Sequence, residues 1–169
     1  DGVSVANSNA GTFALPAMTI DPGTPAGVDA VLLTNNTGAT FSFGVLALNT
    51  NGARAFAASG GGTVNLSGTT STLAATSAAA LDLNGVTVGN GSGGAMTFGS
   101  VSSTSSATRG ILLTSLGGSL TMSDGVISGA AGNAFEVSAG SPTVVYGGTI
   151  SNTVGNAVAV ASTTGGTVT

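Results

Sequence analysis

The stretch GVISGAAGNAFEV (125–137) is followed 23 residues later by GTISNTVGNAVAV (148–160), with seven of the thirteen positions identical. The match includes Gly132-Asn133-Ala134 against Gly155-Asn156-Ala157. A near-copy at so short an interval is the mark of a repeat architecture, in which one small unit is stacked on the next. Working outward, the same kind of segment recurs along the whole chain. GVSVAN (2–7), AVLLTN (30–35), AFAAS (55–59), ALDLN (80–84), GILLTS (110–115), AFEVS (134–138) and AVAVA (157–161) form one set. Their leading apolar residues are Val3, Val31, Phe56, Leu81, Ile111, Phe135 and Val158, separated by 28, 25, 25, 30, 24 and 23 positions.

A second set interleaves with the first: TFALP (12–16), TFSFG (40–44), TVNLSG (63–68), AMTFGS (95–100), SLTMSD (119–124), TVVYGG (143–148) and TVT (167–169). Its leading residues are Phe13, Phe41, Val64, Met96, Leu120, Val144 and Val168, with gaps of 28, 23, 32, 24, 24 and 24. Each segment reads apolar–x–apolar, the period of a strand with one buried face. Helical spacing is sustained nowhere, and the many glycines and threonines oppose helix. A third, shorter strand fits GVIS (125–128), GTIS (148–151) and GVLAL (44–48).

Three short strands cannot bury their own apolar face, so the units must stack, each strand pairing with its equivalents above and below. The pattern predicts an all-β, right-handed parallel β-helix of about seven coils of roughly 24 residues, with three strands in each. Glycine is expected at corners that need positive φ. Asn133 and Asn156 are expected at one equivalent corner, in the left-handed conformation and bonded up the stack. GVTVGNGSGG (85–94) reads as a loop thrown out from a corner, and DPGTPAG (21–27) as another excursion. The inward set is Val31, Leu33, Phe41, Phe43, Val64, Leu66, Leu81, Leu83, Met96, Phe98, Ile111, Leu113, Leu120, Met122, Phe135, Val137, Val144, Tyr146, Val158 and Val160. A membrane β-barrel also alternates, but its aromatic girdles are not served by one tyrosine and no tryptophan.

Composition narrows the function. Charged residues make up 5% of the chain, against about 25% in an ordinary soluble domain. Disorder is opposed by the 41% hydrophobic content, because disordered chains pair low hydrophobicity with high net charge. Two arginines cannot neutralise a row of phosphates, so nucleic acid is not an expected partner. The absence of cysteine removes disulfides and thiolate metal sites. No run approaches the length of a membrane-spanning helix. The whole of 1–169 is read as one β-helix segment, internal to a longer chain.

The same residues bear on catalysis. A lyase or glycosidase needs clustered carboxylates with a base or cation beside them. Asp82 and Glu136 take outward strand positions two coils apart, Asp124 lies on another side, and no pair shares an obvious face. No coil face is expected to stack three or more charged groups. Arg109, at a corner, is placed to pair with a carboxylate. GNGSGG (89–94) lacks the aspartate of a calcium repeat. The sequons at Asn35, Asn65 and Asn90 are expected by chance in a chain so rich in Asn, Ser and Thr. Outward Thr97 and Thr121 stack over only two coils, too few for an ice-binding rank. No catalytic, cofactor or metal residue is therefore assigned.

GGTVNLSGTTSTLAA (61–75), GGSLTMSDGVISG (117–129) and GGTISN (147–152) resemble the Gly-Gly-x-apolar-x-apolar coils of bacterial autotransporter and two-partner-secreted passenger domains. The resemblance implies a long β-helix outside the bacterial cell, acting as a stalk, an adhesive surface or an extracellular fibre. The partners it implies are further copies of the chain, end to end or side by side, and host or cell-surface glycans. The alternatives are a non-catalytic part of a carbohydrate-active β-helix enzyme and a threonine-rich ice-binding solenoid.

Overall fold

A computed structural model describes residues 2–21 and 27–169. Every strand pairing is parallel, and each strand lies on its equivalent one turn away. The result is a parallel β-solenoid of about six turns of about 25 residues, with no helix among the described residues. Seven strands on one wall bound six turns, which reconciles this count with the seven coils expected.

The first wall follows the first set of segments position for position. Val3 pairs with Val31, Val31 with Phe56, Phe56 with Leu81, Leu81 with Ile111, Ile111 with Phe135, and Phe135 with Val158. A third wall of six strands runs through Met18–Ile20, Leu46–Asn51, Thr72–Thr76, Ser100–Thr104, Val126–Ser128 and Thr149–Ser151. Sequence reading found three of these and missed the others. Ser100–Thr104 reads SVSST, and its inward residues are Val101 and a buried Ser103. With one apolar residue it carries no alternation, although Ser103 is satisfied by donating to the Ala78 carbonyl at 2.8 Å.

The second wall departs from expectation. Phe13 pairs with Phe41 and Phe41 with Val64, as read, but Val64 pairs with Val88 rather than with Met96. The loop expected at 85–94 thus contains the strand Thr87–Gly89, and the excursion shrinks to residues 90–94. Val86 and Val88 are both buried, and their burial outweighs any tendency of the glycines to leave the surface. Val88 then meets Gly118, while Met96 begins an offset column through Leu120, Val144 and Val168. One long strand, Ile111–Met122, crosses from the first wall through both parts of the second. The other expected excursion falls mostly on residues 22–26, outside the described residues.

Between the walls lies one apolar core. Seventeen of the inward residues named from sequence are buried, with Phe41, Phe43, Phe56, Phe98 and Phe135 among its largest members. The rings of Phe13 and Phe41 stack at 4.9 Å. Tyr146 packs on Phe135 at 5.6 Å and donates its hydroxyl to the Val101 carbonyl at 3.2 Å. Burial, with the charge of Asp124, pushes this phenol up to about 12. Val158 and Val160 line the axis beside Phe135 but are 49% and 48% exposed. They belong to the last coil, which has no described coil above it.

Most positive-φ positions among the described residues are glycine, as expected, but the corners after the first wall depart from this. After each first-wall strand the chain turns through a left-handed residue: Asn7, Asn35, Gly60, Gly85, Ser115, Ala139 and Ser162, with φ from 48° to 75°. Only two are glycine. Asn133 and Asn156 do share a corner, and Asn133 Oδ1 accepts from Asn156 N at 3.0 Å. They do not have positive φ, however, so the hydrogen bond along the stack, not left-handed backbone, is the reason asparagine suits them.

Candidate charged ladder on the first wall

The residue two places before each first-wall strand's leading apolar residue forms a corner column: Asp29, Arg54, Ala79, Arg109, Asn133, Asn156. The outward position within the strands forms a neighbouring column: Leu32, Ala57, Asp82, Leu112, Glu136, Ala159. Together they gather both arginines and three carboxylates on one face. That overturns the expectation that no charged pair shares a face and that no coil face stacks three charges.

Arg54 is the hub. Its Nε donates to both Asp29 carboxylate oxygens at 3.2 Å, its Nη2 to Asp29 Oδ2 at 2.6 Å, and its Nη1 to Asp82 Oδ2 at 2.7 Å. The Arg54 amide donates to Asp29 Oδ1 at 2.9 Å, fixing the corner backbone as well. These contacts raise the arginine's pKa, Asp29's hydrogen bond most, with partial burial opposing and Asp82 adding to the rise. All three guanidinium nitrogens are occupied, and an arginine so held is a rigid strut.

One vacant column position away, Arg109 pairs as expected with a carboxylate. Its Nε donates to Glu136 Oε2 at 2.6 Å, and Asn133 Nδ2 donates to the same oxygen at 2.8 Å. The hydrogen bond from Arg109 holds Glu136 below the ordinary carboxylate range, with Asn133 assisting and desolvation opposing. Ser106, itself buried, sets the approach of this arginine: its Oγ donates to the Arg109 carbonyl at 2.7 Å and accepts from Thr108 N at 3.3 Å. Glu136 serves only Arg109's Nε, so its terminal Nη1 and Nη2 make no hydrogen bond among the described residues.

Between the two arginines the column holds Ala79, and the missing side-chain volume opens a notch of about 190 Å³. The notch is lined by Arg54, Asp82 and Arg109, with Ser77, Thr108 and Leu112. A signal for it was present in the sequence. Aligning the first set on its leading residues and stepping two places back gives the corner column directly, whereas attention to the strand centres alone leaves the arginines scattered.

The other residues weighed from sequence separate. Asp124 Oδ1 accepts from its neighbour Gly125 N at 2.7 Å, away from the ladder. Asn90 closes its own loop, its Oδ1 accepting from Ser92 N at 2.8 Å and Gly94 N at 2.9 Å. Asn35 occupies a left-handed corner, and Asn65 faces outward between Ser42 and Gly89. Among the described residues no group of three or more His, Cys, Asp or Glu side chains could hold a metal ion. The threonine count is also corrected: Thr12, Thr40, Thr63 and Thr87 stack on the outer second wall, a rank of four that ends at Gly117. It is one threonine wide, since the next outward column is Ala14, Ser42, Asn65 and Gly89.

No family model, no curated protein and no solved structure matches the chain. The passenger-domain resemblance is supported at the level of the β-solenoid fold alone.

Proposed function

We propose that the chain is a structural and adhesive β-solenoid segment of a large bacterial surface or secreted protein, forming a stalk or an extracellular fibre by coil stacking. The observation that carries this reading is the fold itself: parallel strands stacked coil on coil around one continuous apolar core, in a chain with few charges. In the last described coil the inward residues Val158 and Val160 are about half exposed, and the strand Val158–Ala161 has a partner on one side only. The first coil is the counterpart, with Val3, Val5, Phe13 and Leu15 only partly covered. An apolar strand edge of this kind is a template for pairing, and a second copy stacked on it would bury it. A head-to-tail contact between copies does not close on itself and so grows a filament.

Two features favour a non-catalytic role. An arginine engages each carboxylate of the ladder, Asp29, Asp82 and Glu136, so these three act as ion-pair partners rather than as free acids or bases. The outer second wall offers the hydroxyl rank Thr12–Thr40–Thr63–Thr87, suited to lateral packing of filaments. Sedimentation and electron microscopy of the chain at neutral pH test the proposal. Filaments with a strand spacing of about 4.8 Å along their axis support it. A monodisperse monomer at every concentration removes the self-association part.

A further inference from the structure

We propose that the notch at Ala79 binds one uncharged sugar residue of a glycan; this deepens the adhesive reading above and rests on it. The argument starts from what the ion pairs leave over. Arg54 is saturated, but its partner Asp82 gives it only Oδ2, and Oδ1 has no hydrogen bond among the described residues. Arg109 gives Glu136 only its Nε, so both terminal amines are unpaired. The hydroxyls of Ser77 and Thr108 make no hydrogen bond among the described residues either. One notch therefore holds an open acceptor, an open donor fork and two groups able to do both.

Charge selects among ligands that could use such a set. Two arginines against three carboxylates leave the ladder at −1, and the Asp82 carboxylate itself lines the notch. The Asp82 carboxylate and the negative balance of the ladder oppose an anion at the Arg109 fork, and the arginines repel a metal cation. A neutral polyol fits, because each hydroxyl both donates and accepts: one to Asp82 Oδ1, its neighbour from an Arg109 Nη. Leu112 supplies an apolar floor for the C–H face of the ring. The volume of about 190 Å³ is below the usual range of roughly 300–1,000 Å³ for drug-sized ligands, as suits a single ring. The walls are preorganised, since Arg54 is a fixed strut, the Ser106 hydrogen bonds pin the turn bearing Arg109, and Ser77 sits in a left-handed corner at φ 64°. Preorganised polar groups lose little on binding.

Saturation-transfer difference NMR on the whole 169-residue chain tests this and works whether or not the chain has assembled. The probes are methyl glycosides of glucose, galactose and mannose, with glucuronate and glycine as charged comparisons. At least one neutral glycoside should give saturable transfer with a dissociation constant in the millimolar range, stronger at ring C–H protons than at the aglycone. Ala107→Tyr, which fills the notch from an exposed position without replacing an ion-pair residue, should weaken it at least tenfold. Arg109→Lys should weaken it as well, keeping the charge but not the fork. Absence of transfer from every neutral glycoside, tighter binding of glucuronate or glycine, or unchanged binding in Ala107→Tyr would each overturn the proposal. Filament formation measured on the same samples separates the two readings: no binding by the unmodified chain with assembly intact sinks the sugar site alone.

Discussion

At Ala139 the side chain is at odds with the backbone. Its φ of 58° places a Cβ where an L-residue loses roughly 1–2 kcal/mol, at a corner where equivalent coils use Asn, Gly or Ser. Ala139→Gly should therefore stabilise the fold by about 0.5–1 kcal/mol, the relief being partly offset by greater freedom of the unfolded chain; thermal unfolding measures it. Glu136 is the other informative single residue. Its folded pKa lies below the ordinary 4.5, so its stabilising contribution is complete above that value and fades as pH falls through it. The stability difference between the parent chain and Glu136→Gln should be constant from about pH 6 to 8 and shrink below about pH 4.5. A difference that grows on acidification would show that the Arg109 pair is not what holds the carboxylate.

At the scale of the element, the long strand Ile111–Met122 decides how the second wall is built. It joins the first wall to both halves of the second, and it can do so because Gly117 and Gly118 stand where it crosses Thr87 and Val88. Gly118 has φ 87°, and a Cβ there would collide with the Val88 carbonyl. Gly118→Ala should cost more than about 2 kcal/mol, combining the left-handed penalty with the displaced strand. Equilibrium urea unfolding reads this directly, and a loss below about 0.5 kcal/mol would mean that the crossing is looser than drawn.

At the scale of the whole described solenoid, charge on the lateral surface is concentrated in one ladder, and the first and last described coils leave apolar axial residues partly uncovered. Long-range repulsion between copies is weak at a net charge of −4, so contact between ends is opposed mainly by the ordering it demands. Val160→Lys places a charge on a half-exposed axial residue of the last coil. It should abolish end-to-end association in sedimentation while leaving the unfolding temperature within about 2 °C. Filaments that persist would locate the junction elsewhere. The purified chain should release no products from neutral or acidic polysaccharides, with or without calcium, because each ladder carboxylate is held by an arginine; saturable cleavage would refute the non-catalytic reading.

The first wall was legible in full, since Val3, Val31, Phe56, Leu81, Ile111, Phe135 and Val158 pair as their spacing implies. Alternation that buries one face is a local property, and a repeat multiplies it. Strands whose inward side chains are small or polar, such as SVSST at 100–104, were invisible because their partners lie a whole coil away. The pairing of Val64 with Val88 had the same cause: two valines at 86 and 88 were equally compatible with a loop and with a wall, and only the neighbouring coils choose. The charged ladder stood between these cases. Its residues and their period were in the sequence, but Arg54 reaches Asp29 and Asp82 across three coils, and Ala79 becomes a notch only when arginines stand on either side. Burial patterns are written along the chain, whereas a site made across coils exists only once the coils are stacked.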